Sequence, residues 1–131
     1  MALSTEDQLE IQGLVARYNH AVDSGEGDAY ADTFVPDGVL DAGALQVEGR
    51  QALAAFAKGL PSTQHSPRHI ASNLVIEGDG DRATVQAYVQ MYVLAGDPPQ
   101  PHLAVSGKYA DTLVRNEGRW LFARRVFTRD E

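Results

Sequence analysis

The stretch Arg82-Ala-Thr-Val-Gln-Ala-Tyr-Val-Gln-Met-Tyr-Val-Leu94 decides the fold. Ala83, Val85, Ala87, Val89, Met91 and Val93 occupy alternate positions, with Thr84, Gln86, Tyr88, Gln90 and Tyr92 between them. Such a period of two describes a long strand with one face on a core. Upstream, Gly78-Asp-Gly-Asp81 carries a hairpin signal, so residues 69–77 are the partner strand. Downstream, residues 102–115 and 119–128 read as a second hairpin across Asn116-Glu-Gly118, after a loop at Gly96-Asp-Pro-Pro-Gln-Pro101.

Before Pro67 the grammar is helical. Ser4 is an N-cap and Asp7 puts negative charge in the first turn. Ile11, Leu14, Val15, Tyr18 and Val22 then recur at helical spacing, which predicts a long amphipathic helix over residues 5–22 that Gly25 and Gly27 end. A short helix is expected over 28–34, with Tyr30 and Phe34 on one side, stopped by Pro36-Asp37-Gly38. Short strands at 39–41 and 45–47 flank a turn at Ala42-Gly43, and a third helix over 50–58 buries Leu53 and Phe56. Helices first and antiparallel hairpins after them is α+β order. A strongly curved sheet wrapped around the long N-terminal helix would bury both apolar faces and leave a cone-shaped cavity.

The chain has 131 residues, 44% hydrophobic and 22% charged, which describes one ordinary globular domain over 1–131. Eighteen acids against eleven bases give a net charge of −7. No basic stripe is present to meet a phosphate backbone or an anionic membrane surface, so neither nucleic acid nor membrane is expected as a partner. Cysteine is absent, which excludes disulfides and thiolate chemistry. The first residues turn acidic at once, without a signal-type apolar stretch, and the expected address is the cytoplasm.

Several chemistries leave no trace. There is no G-x-x-x-x-G-K-[ST], no G-x-G-x-x-G and no G-x-S-x-G. The acids at Asp79 and Asp81 lack the spacing of a calcium loop. His65 and His69 are four apart, but Pro67 lies between them, and two strand residues at that spacing stand about 13 Å apart. No metal site is expected.

Two residues stand out. Asp23 falls at the C-terminal end of the first helix, where the helix dipole disfavours a carboxylate by up to about 1 kcal/mol. It flanks the apolar stripe, so it can face the cavity mouth; an ordinary turn residue in Asp-Ser-Gly is the alternative. His69 opens the first long strand with Ala71, Asn73 and Val75 on its face, small and polar company that suits a pocket wall; a partly exposed strand-end histidine is the alternative.

The chain resembles the SnoaL-like, NTF2-like superfamily. The resemblance is carried by Ala21-Val22-Asp23-Ser24, by Asp28-x-x-x-Asp32-x-Phe34-x-x-Asp37-Gly38, by Gly49-Arg-Gln-Ala-Leu, by the strand Pro67-Arg-His69-Ile-Ala-Ser-Asn73, and by Gly107-Lys-Tyr109-Ala-Asp111-x-Leu113-x-Arg115-x-x-Gly118-x-Trp120. It implies a cystatin-like cone: a curved, mostly antiparallel sheet around a long N-terminal helix, with two shorter helices. The branch similar to scytalone dehydratase and hexachlorocyclohexane dehydrochlorinase carries an Asp–His dyad at the positions of Asp23 and His69. That implies a cofactor-independent lyase or isomerase. His69 would abstract a proton from an apolar small molecule and Asp23 would orient and stabilise the imidazolium, for dehydration, isomerisation or polyketide-type cyclisation. Val22 stands where scytalone dehydratase has a tyrosine. Asn73, Tyr18 and Tyr109 are candidates to meet a developing enolate oxygen, with Tyr30 a possible further phenol. Phe34, Phe56, Met91 and Trp120 are candidate lining. The competing reading is a non-catalytic ligand-binding module or accessory subunit of the same fold. The outer row of Gln86, Tyr88, Gln90 and Tyr92 suggests a homodimer before a trimer.

Overall fold

The computed structural model describes residues 1–131. Helix α1 (Thr5–Asp23) begins at a reciprocal cap: the Ser4 hydroxyl accepts from the Asp7 N–H, and the Asp7 carboxylate accepts from the Ser4 N–H, both at 3.0 Å. Its stripe of Ile11, Leu14, Val15, Tyr18 and Val22 is buried throughout. A large side chain so placed stabilises the fold by about 1.5–3 kcal/mol. Gly25, at φ 69°, then reverses the chain.

Helix α2 (Gly27–Ala31) is shorter than the 28–34 expected. The Thr33 carbonyl accepts from the Phe122 N–H, and Phe34 already pairs with Phe122, so the sheet captures the backbone three residues early. Strands β1 (Phe34–Ala42) and β2 (Leu45–Glu48) form a hairpin. Helix α3 (Arg50–Thr63) passes the expected end at Lys58 and carries Pro61 in its last turns, where few helical hydrogen bonds remain for it to interrupt. It buries Leu53 fully and leaves Phe56 half-buried.

Strands β3 (Arg68–Asp79), β4 (Arg82–Ala95), β5 (Gln100–Asn116) and β6 (Arg119–Arg129) complete one six-stranded sheet in the order β2-β1-β6-β5-β4-β3. Every neighbouring pair is antiparallel except β1 with β6. The alternation read in β4 holds from Ala83 through Val85, Ala87, Val89 and Met91, all buried, while Val93 near the strand's end is only partly buried.

Register slips bend the sheet. One lies in β3 between Ser72 and Val75, where Asn73 takes φ 56°. It inverts the strand's parity. His69 and Ala71 face inward as expected, but Leu74 and Ile76 then take the inner positions and Val75 turns out, half exposed. A second slip on β6 opposes Thr112 and Leu113 of β5 with Arg124 and Phe122. Ala123 is the extra residue, so Arg125 and not Arg124 turns into the core.

At the far end of α1, Trp120 is buried against the helix start. Its indole N–H donates to Asp7 at 3.1 Å and its backbone N–H to Glu10 at 2.8 Å. Arg115 closes this corner with bonds to Asp7 and Asp81. The Trp120 bond is the leading reason that the Asp7 carboxyl lies below its usual range. No helix is long and apolar enough to cross a membrane.

Candidate active site

The last residue of α1 meets the second residue of β3. Asp23 Oδ1 lies 2.6 Å from His69 Nδ1, and the same carboxylate accepts the His69 backbone N–H, at 3.1 Å to Oδ1 and 3.0 Å to Oδ2. Both side chains are largely shielded, with 10% and 15% of their surface exposed. An ionised carboxylate only accepts, so Nδ1 is the nitrogen that donates to Asp23, and in the neutral ring this tautomer leaves the lone pair on Nε2. No protein group bonds Nε2.

His69 forms part of the wall of an apolar cavity of about 200 Å³. Tyr18 and Val22 of α1, Phe56 and Leu60 of α3, the β1–β2 hairpin, and residues of β4, β5 and β6 that include Met91 and Tyr109 supply the rest. The walls come from every layer because the sheet curls around the helix end. On its other side the dyad borders an open groove between α1 and β3, lined by Asn19, His20 and Arg68 among others. Asn19 is buried there, and its Oδ1 has no partner.

Five of the candidates read from the sequence as ligand-facing or catalytic share the cavity: His69, Tyr18, Phe56, Met91 and Tyr109. Asp23 stands behind His69. Tyr30 and Phe34 form a second layer behind Tyr18. The Tyr30 hydroxyl donates to the Tyr18 hydroxyl at 2.9 Å, and Phe34 lies against both rings at centroid distances of 6.0 and 5.7 Å. Asn73 sits away from the cavity, in a shallow depression beside Tyr88 and Lys108, because the β3 slip carries it off His69's face. Trp120 lies at the opposite end of α1, held by Asp7.

The sequence reading missed one buried pair. Arg125 is fully buried, its guanidinium carbon 3.4 Å from the ring centre of Tyr109, 4.3 Å from Tyr18 and 4.6 Å from Phe122. Its Nε donates to Asp111 at 3.0 Å, while both Nη atoms and Asp111 Oδ2 lack partners. Asp111 was open to discovery, since it alternates with Tyr109 and Leu113 on the inner face. Arg125 was hidden by the slip at Ala123. Burial pushes the Asp111 carboxyl up to about 6 against the pull of Arg125. Burial also raises both cavity phenols well above their ordinary range, with Arg125 opposing it. They therefore stay protonated and able to donate. No group of three or more His, Cys, Asp or Glu side chains is placed to hold a metal ion.

A SnoaL-like domain model matches residues 4–126. An uncharacterised protein of Mycobacterium tuberculosis is 32% identical over 130 residues, covering 94% of this chain and 85% of its own. Another M. tuberculosis protein of unknown function, solved as an Asp-to-Asn variant, superposes with TM-score 0.90 at 28% identity, over 98% of this chain and 79% of that one. An NTF2-like protein with a cystatin-like fold from Novosphingobium aromaticivorans gives TM-score 0.82 at 26% identity, over 95% and 82%.

Proposed function

This chain belongs to the SnoaL-like family, and from that premise we propose that it is a cofactor-independent lyase or isomerase whose base is His69 and whose orienting carboxylate is Asp23. The observation that carries the reading is the 2.6 Å contact between Asp23 Oδ1 and His69 Nδ1, made on the wall of an apolar cavity. A substrate carbon next to a carbonyl loses its proton to Nε2, and the electron pair moves onto the carbonyl oxygen. Asp23 stabilises the imidazolium. Tyr18, whose oxygen accepts from Tyr30, is the donor for the developing oxyanion, with Tyr109 beside it in the wall. The enolate then expels a β leaving group, takes a proton at another carbon, or attacks a second carbonyl. The three outcomes share this first step.

The test needs no knowledge of the natural substrate. 2-Indanone has acidic protons beside its carbonyl and fits a small apolar space, so its exchange of those protons for deuterium in D₂O, followed by NMR, reads the first step directly. The protein is expected to accelerate exchange over buffer, and His69→Ala to abolish the acceleration. An unaltered rate with His69→Ala would overturn the reading.

A second feature bears on assembly. Ile70, Val75, Tyr88 and Leu103 lie on the outer face of β3, β4 and β5, each about half exposed. Helices cover only the other face, and this surface supports a homodimer. A non-catalytic ligand-binding or accessory role would use the same surface, and it predicts binding without exchange.

A further inference from the structure

We infer that the cavity is built for an uncharged molecule of about ten to twelve non-hydrogen atoms, one ring or two fused rings, bearing a single oxygen acceptor. This rests on the cavity being the reaction chamber proposed above. Size comes first. At the packing density of protein interiors, about 200 Å³ holds roughly that many atoms. Ligand pockets for larger molecules span about 300–1,000 Å³. A four-ring skeleton exceeds that volume, and the excess would project past the half-exposed Leu45 at the β1–β2 hairpin, out of the apolar wall.

Charge comes second. No Lys, Arg, Asp or Glu lines the cavity. Burying an ion without a partner is strongly unfavourable, so a phosphate or a carboxylate has no counterion there. The one group able to meet an anion is His69, and an imidazolium held by a bound carboxylate has no lone pair left to act as a base. The Arg125 cation does not change this, since it lies against the Tyr18 and Tyr109 rings outside the lining.

Polarity comes third. Apart from His69, the polar side-chain atoms of the wall are the hydroxyls of Tyr18 and Tyr109. His69 shares a rung with Met91 and Val105, whereas Tyr109 pairs with Ala87, four residues further along β4. Those rungs are about 13 Å apart at the backbone, and the side chains converge from there. One acceptor oxygen directed at the phenols and one acidic C–H at His69 satisfy the cavity. A molecule with several hydroxyls would leave most of them without partners.

The chain has two methionines, Met1 fully exposed and Met91 in the cavity wall, so methyl-¹³C-methionine labelling gives one reporter inside and one outside. Three probes separate the terms: 2-indanone, indane-2-carboxylate at pH 8, and progesterone. We expect 2-indanone to shift the Met91 signal saturably while leaving Met1 unmoved, the carboxylate to bind at least tenfold more weakly, and progesterone to leave both signals in place. Carboxylate affinity equal to that of the ketone, a saturable Met91 shift with progesterone, or an unmoved Met91 signal with 2-indanone would each overturn the assignment. Binding of 2-indanone without accelerated deuterium exchange has a separate meaning. It removes the proton-abstraction reading and leaves the ligand class standing.

Discussion

Asp23 holds His69 by two handles: its carboxylate accepts the ring Nδ1–H at 2.6 Å and the backbone N–H of the same residue at 3.0–3.1 Å. One side chain thus sets where the strand begins relative to α1 and which way the ring on that strand faces. A ring held by its side chain alone could rotate. A ring whose backbone is anchored by the same carboxylate has little freedom to do so, a constancy that the proposed proton abstraction would require.

For the exchange reaction, His69→Ala and Asp23→Asn are each expected to lower the catalysed rate by about 10²–10⁴-fold. The double variant is expected to lose little more than the worse single one, because in the proposed mechanism the pair acts as a unit. Deuterium-exchange rates of the three variants check this, and multiplicative losses would contradict it.

The two positions differ in stability. Viewed along the chain, a carboxylate at the end of a helix is a small liability. In the fold, Asp23 satisfies a shielded backbone N–H, and its removal leaves that donor without a partner. Asp23→Ala is expected to cost about 1–3 kcal/mol, while His69→Ala, which leaves the backbone bond in place, costs less. Urea denaturation of both variants at pH 7 decides the order.

The Asp111–Arg125 pair predicts a pH dependence. The Asp111 carboxyl is raised to about 6 in the folded protein from 3.8, so the folded state binds this proton more tightly than the unfolded one. Stability from this group is therefore fully present below pH 3.8 and is lost as pH rises through about 6. The double variant Asp111→Leu with Arg125→Met lacks both groups. Its stability relative to the natural protein is expected to improve by about 2–3 kcal/mol between pH 4 and pH 7. Arg125→Met alone strands the carboxyl and is expected to be destabilising at pH 7 by about 3–5 kcal/mol. Denaturation midpoints across that pH range test both statements.

Assembly is tested on the outer sheet face. Val75→Lys together with Leu103→Lys places charges on the half-exposed apolar patch without touching the cavity. If copies pair there, light scattering at tens of micromolar is expected to give a dimer for the natural protein and a monomer for the variant. A monomer in both cases removes the dimer.

How much was legible beforehand follows from which signals are local. The Ser4 cap, the α1 stripe and the unbroken alternation of β4 are short-range patterns, and each element formed where they placed it. The ends of α2 and α3 were less legible. Phe34 leaves the helix for a pairing with Phe122, almost ninety residues away, and no local propensity records that bond.

The sequence by itself determined the order of elements and the inward row of β4. It did so because periodicity and capping depend on neighbours within a few positions. Asp23 and His69, by contrast, stood out only weakly by position and were paired by the resemblance to the SnoaL-like family. Only the tertiary structure decided what surrounds them. One extra residue in β3 took Asn73 off His69's face, and one in β6 turned Arg125 inward beneath the phenols. A strand's side-chain period is two, so a single slipped residue exchanges inside for outside along everything that follows. Whether a slip occurs is settled by the partner strand and the curvature it must follow.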